Sequence, residues 1–289
     1  VGTPQPVTVG RKVLVVGAGP AGMQAAIAAA RNGHHVTVCE QESAAGGQVR
    51  LAASVPNRVE FGDLVRNQLN ECGRLGVEFE YGVTVTAQEV ARRGADSVVI
   101  ATGARPSTPY WMPEDLAGGS GWIVDVRDVL TGKAQPAGKV LVIDEIGFHH
   151  ATSVGELLAD RGCEVEIMTP GMVVGQDLGI TLDMENWWIR AGSKGILQTT
   201  NSGVMGIEGH TVQLQHHPTG TQLTREPDWL VLALPADPVD ELYFELKAAG
   251  VEVYRAGDAV APRRAHSAVI EGERVGAAIT SADRILAIR

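Results

Sequence analysis

Three glycines near the start of the chain stand at a spacing suited to phosphate binding. Gly17, Gly19 and Gly22 form a GxGxxG pattern in GAGPAG, which follows the apolar run Lys12–Val16 and precedes the alanine-rich stretch MQAAIAAARNG. This order predicts a strand, a tight turn and a helix. The first glycine permits the turn, the second lets a pyrophosphate approach the backbone, and the third lets the helix pack on the strand. The helix N-terminus then favours the anion through its free N–H groups and its dipole.

A carboxylate follows at the place where a ribose would lie. Gly33 ends the predicted helix, HHVTVCE indicates a second strand, and Glu40 closes that strand. In dinucleotide-binding folds an acidic residue about 20 residues beyond the glycines holds the ribose hydroxyls. The alternative is an ordinary charge at a strand end, and the complete strand, turn and helix context favours the ribose role.

Later segments bring more small and polar residues to the same crevice. SAAGGQ places Gly46 and Gly47 beside it, the buried-strand signature of DSVVIATGARP runs into a turn at Thr102, and VEVYRAGDAV places Asp258 after another strand. Ligands of doubly wound folds bind at such carboxyl ends of strands. Asp258 suits a ribityl hydroxyl or the diphosphate, and would equally suit a turn. The residues predicted to bind the cofactor are Gly17, Gly19, Pro20, Ala21, Gly22, Glu40, Gln41, Gly47, Gln48, Ala101, Thr102, Gly103, Gly257 and Asp258.

The chain also contains a second, altered copy of the first motif. GRKVLVVGAGPAG has a counterpart in AGKVLVIDEIGFHH, and each copy continues into a predicted helix, a glycine turn and a strand. Asp144 stands in place of Gly17, Ile146 in place of Gly19, Thr169 in place of Glu40, and His149 or a near neighbour in place of Gly22. A branched side chain fills the space that a pyrophosphate needs, and an acidic residue repels it. This predicts a Rossmann-like domain that has lost its ligand, so that NAD(P)H binding is not expected there.

Composition narrows the function classes. The 289 residues are 44% apolar, which predicts two globular domains. The net charge of −10, with no Lys/Arg-rich run, argues against a nucleic-acid partner. Three scattered cysteines without a CxxC pair indicate neither a disulfide framework nor a zinc site, and no metal site is predicted. Without an apolar run of 18 residues, a cytoplasmic protein without a membrane partner is expected.

Other eye-catching residues have ordinary explanations. His149 and His150 are adjacent, so on a helix they diverge by about 100° and cannot bind one ion from the same face. A polar cap on the altered turn is therefore expected. His216 and His217 lie in a predicted hairpin turn, where solvated histidines are usual.

The remaining candidates carry no catalytic assignment. Trp187 and Trp188 lie in a predicted helix, where a core or domain-interface role is favoured over a surface for docking a partner. Arg263 and Arg264 lie near AGDA, where a basic group could face a flavin. Neither a nucleophile with its base nor HExxH occurs, so the chemistry would belong to the cofactor.

GAGPAG, Glu40, GGQ, ATGARP and AGDA together resemble the two-dinucleotide-domain flavoproteins of the glutathione and thioredoxin reductase type. In that group the first fold binds FAD, an inserted fold binds NAD(P)H, and the chain returns to the FAD domain. The resemblance implies an α/β fold class with two Rossmann-like nucleotide-binding domains, the second inserted in the first. The expected division is a linker at 1–11, the first part of the FAD-binding domain at 12–112, the altered second domain at 113–235 and the return at 236–289.

A closer resemblance involves GGQVRLAASVPNRVEFGDLV, ATGARPSTP and AGDAVAPRRAHSAVIEGERVGAAI. These segments are similar to the C-terminal portion of 2,4-dienoyl-CoA reductase, trimethylamine dehydrogenase and related flavoproteins of the old-yellow-enzyme type. The resemblance implies a FAD-binding electron-transfer module or subunit. It would act with a TIM barrel carrying FMN and a 4Fe-4S cluster, on a partner or on a preceding part of the chain that would end near Val1.

Two alternatives stay open at this point. A free-standing NAD(P)H-dependent flavoprotein reductase would need the second fold to bind nicotinamide through unusual contacts. A structural subunit would hold ADP or FAD permanently, with no electron passing through it, and the association of ADP with trimethylamine dehydrogenase-like proteins suggests this case. The residues indicate no substrate and no oligomeric state, so a higher oligomer is possible.

Overall fold

A five-stranded parallel sheet forms around the first glycine segment. The computed structural model describes residues 9–116 and 121–280, and its strands and helices are numbered along the chain. The strands of this sheet are β1 Lys12–Val16, β2 His35–Glu40, β3 Glu78–Tyr81, β4 Ser97–Ile100 and β15 Val253–Arg255. They lie in the order β15, β4, β1, β2, β3. After Lys12 in β1 and Ser97 in β4, both strands are runs of apolar residues that are buried on both faces, as parallel strands covered by helices are.

Helices cover this sheet. They are α1 Pro20–Arg31, α2 Gln48–Ala53, α3 Gly62–Arg74, α4 Ala87–Arg93, α8 Glu241–Ala248 and α9 Ala265–Ala278, with short 3-10 turns at Val59–Phe61 and Gly257–Ala259. Helix α1 is rich in alanine, and most of its alanines are buried. Small side chains let its neighbours approach closely.

Helix α9 packs on α1 with the backbones of the two helices in contact. A Cβ atom added to Gly272 would lie 2.3 Å from the carbonyl oxygen of Ala21, and one added to Gly276 would lie 2.3 Å from that of Ala25. Both glycines are buried. Any side chain at these positions would therefore push the two helices apart.

A second five-stranded parallel sheet repeats the arrangement. Its strands are β6 Ile123–Asp125, β7 Lys139–Asp144, β8 Glu164–Met168, β9 Leu197–Thr199 and β13 Trp229–Ala233, in the order β6, β13, β7, β8, β9. Its helices are α5 Val126–Thr131, α6 His149–Asp160 and α7 Met184–Ser193, and a 3-10 helix spans Gln176–Thr181. An antiparallel sheet is added by β10 Ser202–Glu208, β11 Thr211–His216 and β12 Thr221–Arg225.

The register of the two parallel sheets shows how exact the repeat is. Lys12 lies opposite His35 in the first sheet, and Lys139 lies opposite Glu164 in the second. Helices α1 and α6 each contain 12 residues. The turns differ, because residues 17–19 precede α1 whereas residues 144–148 stand between Ile143 and α6. The second turn is thus two residues longer, which is why the counterpart of Gly22 was ambiguous in the sequence.

Contacts divide the chain into two compact units. Unit 1 contains residues up to 53, 59–105 and those from 236 onward, and unit 2 contains 54–58 and 106–235. The chain passes into unit 2 after residue 105, earlier than the expected 112, and returns after residue 235. Short strands β5 Ala104–Pro106 and β14 Ala236–Pro238 pair where the chain leaves and returns. Assignment of the units as nucleotide-binding domains stays a prediction.

The expected linker 1–11 is described only at its end, since residues 1–8, including Val1, lie outside the described residues. Arg11 is 4% exposed, and its guanidinium pairs with Glu252 at 2.8 Å. Arg11 therefore belongs to the packed part of unit 1 and not to a linker. Across residues 9–116 and 121–280, no helix is both long enough and apolar enough to span a membrane.

Candidate cofactor site

Two of the three predicted phosphate-loop glycines are required by the fold itself. Gly17 has φ +102°, and a Cβ atom there would lie 2.3 Å from the carbonyl oxygen of Ala101. A Cβ atom on Gly22 would lie 2.0 Å from the carbonyl oxygen of Gly17. Gly17 therefore lets the turn after β1 touch the end of β4, and Gly22 lets α1 pack on that turn.

Gly19 is different, because the protein alone does not need a glycine there. Its backbone is extended (φ −73°, ψ 178°), and a Cβ atom would meet nothing within 4 Å. It precedes α1, whose first turn has no side-chain cap and no acidic residue. The first N–H groups of a helix have no partner within the helix, and the helix dipole makes this end positive. The chain thus leaves an open, positively polarised space of the kind a diphosphate fills.

Gly47 borders the same space. It has φ +51°, and a Cβ atom on it would lie 3.3 Å from the Cα atom of Gly19. The preceding Gly46 donates its N–H to the carbonyl oxygen of Ala18 at 2.8 Å. The GGQ segment is therefore held against the glycine turn, as the sequence predicted that it would lie beside the crevice.

Glu40 is buried at the end of β2 and holds the turn. One carboxylate oxygen accepts the N–H of Ala18 at 2.7 Å, and the other accepts the N–H of Glu42 at 2.9 Å. Each oxygen keeps a second lone pair with which it can accept a ribose hydroxyl. The structure thus gives Glu40 a task that sequence spacing did not indicate, which is to shape the turn. Gln41, the next residue, is exposed.

Gln48 and Asp258, two of the residues predicted to bind the cofactor, contact each other. The side-chain amide of Gln48 donates to Asp258 at 3.1 Å, and the other carboxylate oxygen of Asp258 accepts the N–H of Arg263 at 3.1 Å. Gly257 has φ +69°, and a Cβ atom on it would lie 2.6 Å from that of Ala21. The returning segment AGDA therefore lies against the first turn of α1.

The ATG segment contributes in two ways. Ala101 donates its N–H to the carbonyl oxygen of Val16 at 2.8 Å and so extends the pairing of β4 with β1. The hydroxyl of Thr102 donates to the carbonyl oxygen of Val239. The carbonyl oxygen of Gly103 accepts the N–H of Val239 at 3.0 Å. The side chain of Thr102 is thus engaged with the returning chain, so the contacts seen at this segment are structural.

One participant was missed by sequence reasoning. Ala18 is fully buried, and both its N–H and its carbonyl group are used to join the turn to Glu40 and Gly46. It occupies the first variable position of GxGxxG. A small residue at that position was the only available signal, because the bonds are made by its backbone.

In unit 2 the corresponding turn is closed by its own carboxylate. Asp144 is fully buried, and its oxygens accept the N–H groups of Gly147 at 2.8 Å, Ile146 at 3.2 Å and Gly175 at 3.2 Å. Burial raises the pKa of Asp144, and the three N–H donors oppose that rise. The sequence predicted that this residue would repel a phosphate. The structure adds that it takes up the N–H groups of the turn.

A charged network lies at the start of α6. The imidazole Nδ1 of His149 is 2.9 Å from the guanidinium of Arg58, which pairs with Asp183. Arg190 pairs with Asp183 at 3.4 Å and with the buried Glu156 at 2.9 Å. Burial, and then the guanidinium of Arg58, lower the pKa of His149 to about 4. Its imidazole is therefore neutral at pH 7.

The tryptophans and histidines singled out in the sequence differ in their exposure and contacts. Trp187 is fully buried whereas Trp188 is 46% exposed. His150 is exposed, and His216 bonds Thr219 at 2.8 Å in the turn between β11 and β12. Within the described ranges, no group of three His, Cys, Asp or Glu side chains could hold a metal ion.

Comparison of the sequence with known proteins identifies a family and individual relatives. Residues 11–271 match the family described as pyridine nucleotide-disulphide oxidoreductase. The chain is 32% identical over 295 residues to a probable N-methylproline demethylase of Rhizobium meliloti (strain 1021), and 30% identical over 302 residues to an N,N-dimethylglycine/sarcosine dehydrogenase of Chromohalobacter salexigens. Each alignment covers 92% of this chain and 43% of the relative.

A solved structure agrees closely. The 6-hydroxypseudooxynicotine amine oxidase of Pseudomonas geniculata N1 superposes with a TM-score of 0.88 and 25% sequence identity, over 96% of this chain and 43% of that one. The chain therefore spans less than half the length of these three proteins.

Proposed function

The chain belongs to the pyridine nucleotide-disulphide oxidoreductase family, and on that basis we propose that it is a FAD-binding electron-transfer module of a flavin-dependent oxidoreductase. The observation that supports this most directly is the open space at Gly19. The fold leaves a glycine, an uncapped helix N-terminus and a buried carboxylate around a space that the chain itself does not fill.

The residues divide the binding of FAD among them. Gly19, Gly47 and the N–H groups at the start of α1 would hold the diphosphate, and Glu40 would accept the adenosine ribose hydroxyls. Gln48 and Asp258 would face the ribityl chain with their amide and carboxylate. Bound there, FAD supplies the capacity to accept and pass on electrons.

The source of electrons is proposed to be a FMN-bearing TIM barrel with a 4Fe-4S cluster, on a partner or in the same polypeptide. Support comes from the length of the two curated relatives, more than half of which lies outside the part matched here. The names of these two relatives specify N-methylated amino acids. The name of the solved structure specifies the oxidation of an amine. Amine oxidation by the complete protein is the activity that fits these names.

The test is the variant Gly19→Val. Because Gly19 is extended and a Cβ atom there meets nothing, the variant is expected to fold, and without nucleotide it should melt like the nucleotide-free original chain. Its side chain fills the diphosphate space, so FAD retention should fall at least about 100-fold through the loss of several phosphate hydrogen bonds. Flavin absorbance and chromatography of the released nucleotide measure retention. Recovery of ADP instead of FAD from the original chain would support the structural-ligand alternative.

A matched control is Gly73→Val. Gly73 lies in α3, has an ordinary φ and is likewise free of atoms within 4 Å of an added Cβ. This variant should keep its nucleotide. If Gly19→Val also kept full occupancy while folding normally, binding of the dinucleotide at this turn would be disproved.

A further inference from the structure

Unit 2 keeps the frame of a dinucleotide-binding fold while filling its phosphate position. Strand β7, helix α6 and strand β8 reproduce β1, α1 and β2 in register and in helix length. On the strand alignment, Ile146 and Gly147 stand where unit 1 has Gly19 and Pro20. These are the turn positions from which a dinucleotide fold faces its diphosphate.

The N–H groups of these two residues do not face an open space. Both donate to one carboxylate oxygen of Asp144, at 3.2 Å and 2.8 Å, and the N–H of Gly175 donates to the other at 3.2 Å. A carboxylate that accepts three backbone N–H groups is bound as a phosphate oxygen is bound in such turns. The anion comes from the chain itself.

The segment that supplies Gly175 also covers the turn. Val174 and Leu178 are fully buried in the core of unit 2, and Asp177 donates its N–H to the carbonyl oxygen of Gly147 at 2.8 Å. Gly175 has φ +65°, and a Cβ atom on it would lie 2.8 Å from Cγ2 of Thr152 in α6. The segment 174–178 is therefore packed against the first turn of α6.

We propose that Asp144 is an internal substitute for the dinucleotide phosphate of unit 2 and determines its specificity by excluding nucleotides. The carboxylate neutralises the N–H groups of the turn and anchors residues 174–178 over them. A nucleotide would have to displace both a buried anion and a buried segment, and its own phosphate would be repelled meanwhile. This proposal does not depend on FAD binding by unit 1.

The test is anion rescue of the variant Asp144→Ala in the full chain. Removal of the carboxylate leaves three N–H groups without an acceptor, so the melting temperature should fall by roughly 5 °C or more. Formate, the size of the group removed, should restore part of this loss in a saturable manner, compared with chloride at equal ionic strength. The original chain should show no such gain.

The control is Val154→Ala, which removes buried apolar atoms from α6 but no anion. Its melting temperature should fall by a similar amount without specific recovery in formate. If Asp144→Ala melts like the original chain, or gains no more from formate than Val154→Ala, the proposal is overturned. Should Asp144→Ala not fold in chloride, recovery from denaturant in formate is measured, and absent or formate-independent recovery overturns the proposal equally.

A second arm tests exclusion directly. In the Gly19→Val background, where unit 1 is blocked, NADPH should produce no saturable rise in melting temperature at millimolar concentration. Saturable binding of NADPH at or below millimolar concentration would overturn the assignment to Asp144. Failure of FAD binding by unit 1 would leave both arms unchanged, so the two proposals are tested separately.

Discussion

At the scale of the residue, Glu40 and Asp144 each accept backbone N–H groups of the turn in their own unit, but from different positions in the chain. Glu40 reaches the first glycine turn from the end of β2, and Asp144 holds the second from the end of β7. In unit 1 the acid lies beside the open space at Gly19, so a ligand can still enter. In unit 2 the acid stands within the turn, so the ligand position is taken. The position of the acid therefore distinguishes the turn proposed to bind a ligand from the one that its own carboxylate closes.

The variant Glu40→Gln is expected to weaken both the turn and the ligand. An amide keeps one acceptor but turns a donor towards a backbone N–H, and the N–H of Ala18 is fully buried. An unsatisfied group of this kind costs about 1–3 kcal/mol of unfolding free energy. FAD affinity should fall about 10-fold or more, because a hydrogen bond to a charged group is lost.

Urea denaturation and flavin titration measure these two effects. Glu42→Gln is the control, since it makes the same change of charge two residues away on an exposed side chain. It should leave both quantities unchanged. Equal stability and equal FAD affinity in Glu40→Gln and the original chain would contradict the role given to Glu40.

Residue types and spacing predicted much of this site but not its hydrogen bonds. The order of strand, turn and helix around Gly17, Gly22 and Glu40 was predictable, because these periods are visible in the sequence. The bonds that Glu40 makes to main-chain N–H groups were not predictable, since every residue carries an N–H. For the same reason Asp144 was expected only to repel phosphate.

At the scale of the element, the contact between α1 and α9 supports the side of unit 1 that is proposed to bind the cofactor. Gly272 and Gly276 let the two backbones touch along the length of α1. The N-terminus of α1 points at the proposed diphosphate space, so α9 supports the helix that would bind it. The sequence did not predict this packing partner of α1, because glycines inside a helix ordinarily indicate weakness rather than close packing.

Gly276→Ala should destabilise the chain by about 1–3 kcal/mol, because its methyl group would lie 2.3 Å from the carbonyl oxygen of Ala25 and force the helices apart. Gly73→Ala provides the comparison. Gly73 lies on the exposed side of α3 with open space around it, so alanine there should stabilise by up to about 1 kcal/mol.

Denaturant midpoints of the two variants are the measurement. Opposite signs are expected for the same chemical change. A Gly276→Ala variant as stable as Gly73→Ala would show that α1 and α9 do not touch in this manner.

At the scale of the whole molecule, the fold class and the family resemblance predicted from sequence are confirmed by the family match and by the relatives. The fold class was predictable because the sequence contains two copies of one strand, turn and helix pattern, and each copy indicates a similar sheet. The crossing into unit 2 at residue 105 was less visible, because β5 and β14 are three residues long and have no periodicity of their own. The contribution of residues 54–58 to unit 2 is a contact of the folded chain and leaves no local signal.

Purification of the protein from its source should yield this chain in the same particle as FMN. A chain that carries electrons but excludes nicotinamide needs a donor held nearby, and a stable docking interface buries more than about 1,000 Å². Native mass spectrometry, with turnover of an N-methylated amino acid as the functional check, measures this. Full turnover by homo-oligomers of the 289-residue chain alone would refute the proposed partner.

The position of β15 and α9 along the chain has a consequence for synthesis on the ribosome. Unit 1 begins at the start of the described chain, but its edge strand Val253–Arg255 and its closing helix Ala265–Ala278 are translated after unit 2. Asp258 emerges between them. All of unit 2 is translated before these segments, so its own sheet can close while that of unit 1 still lacks a strand. The crevice proposed for FAD is therefore complete only when translation has passed unit 2 entirely, and unit 1 must wait with its glycine turn exposed until then.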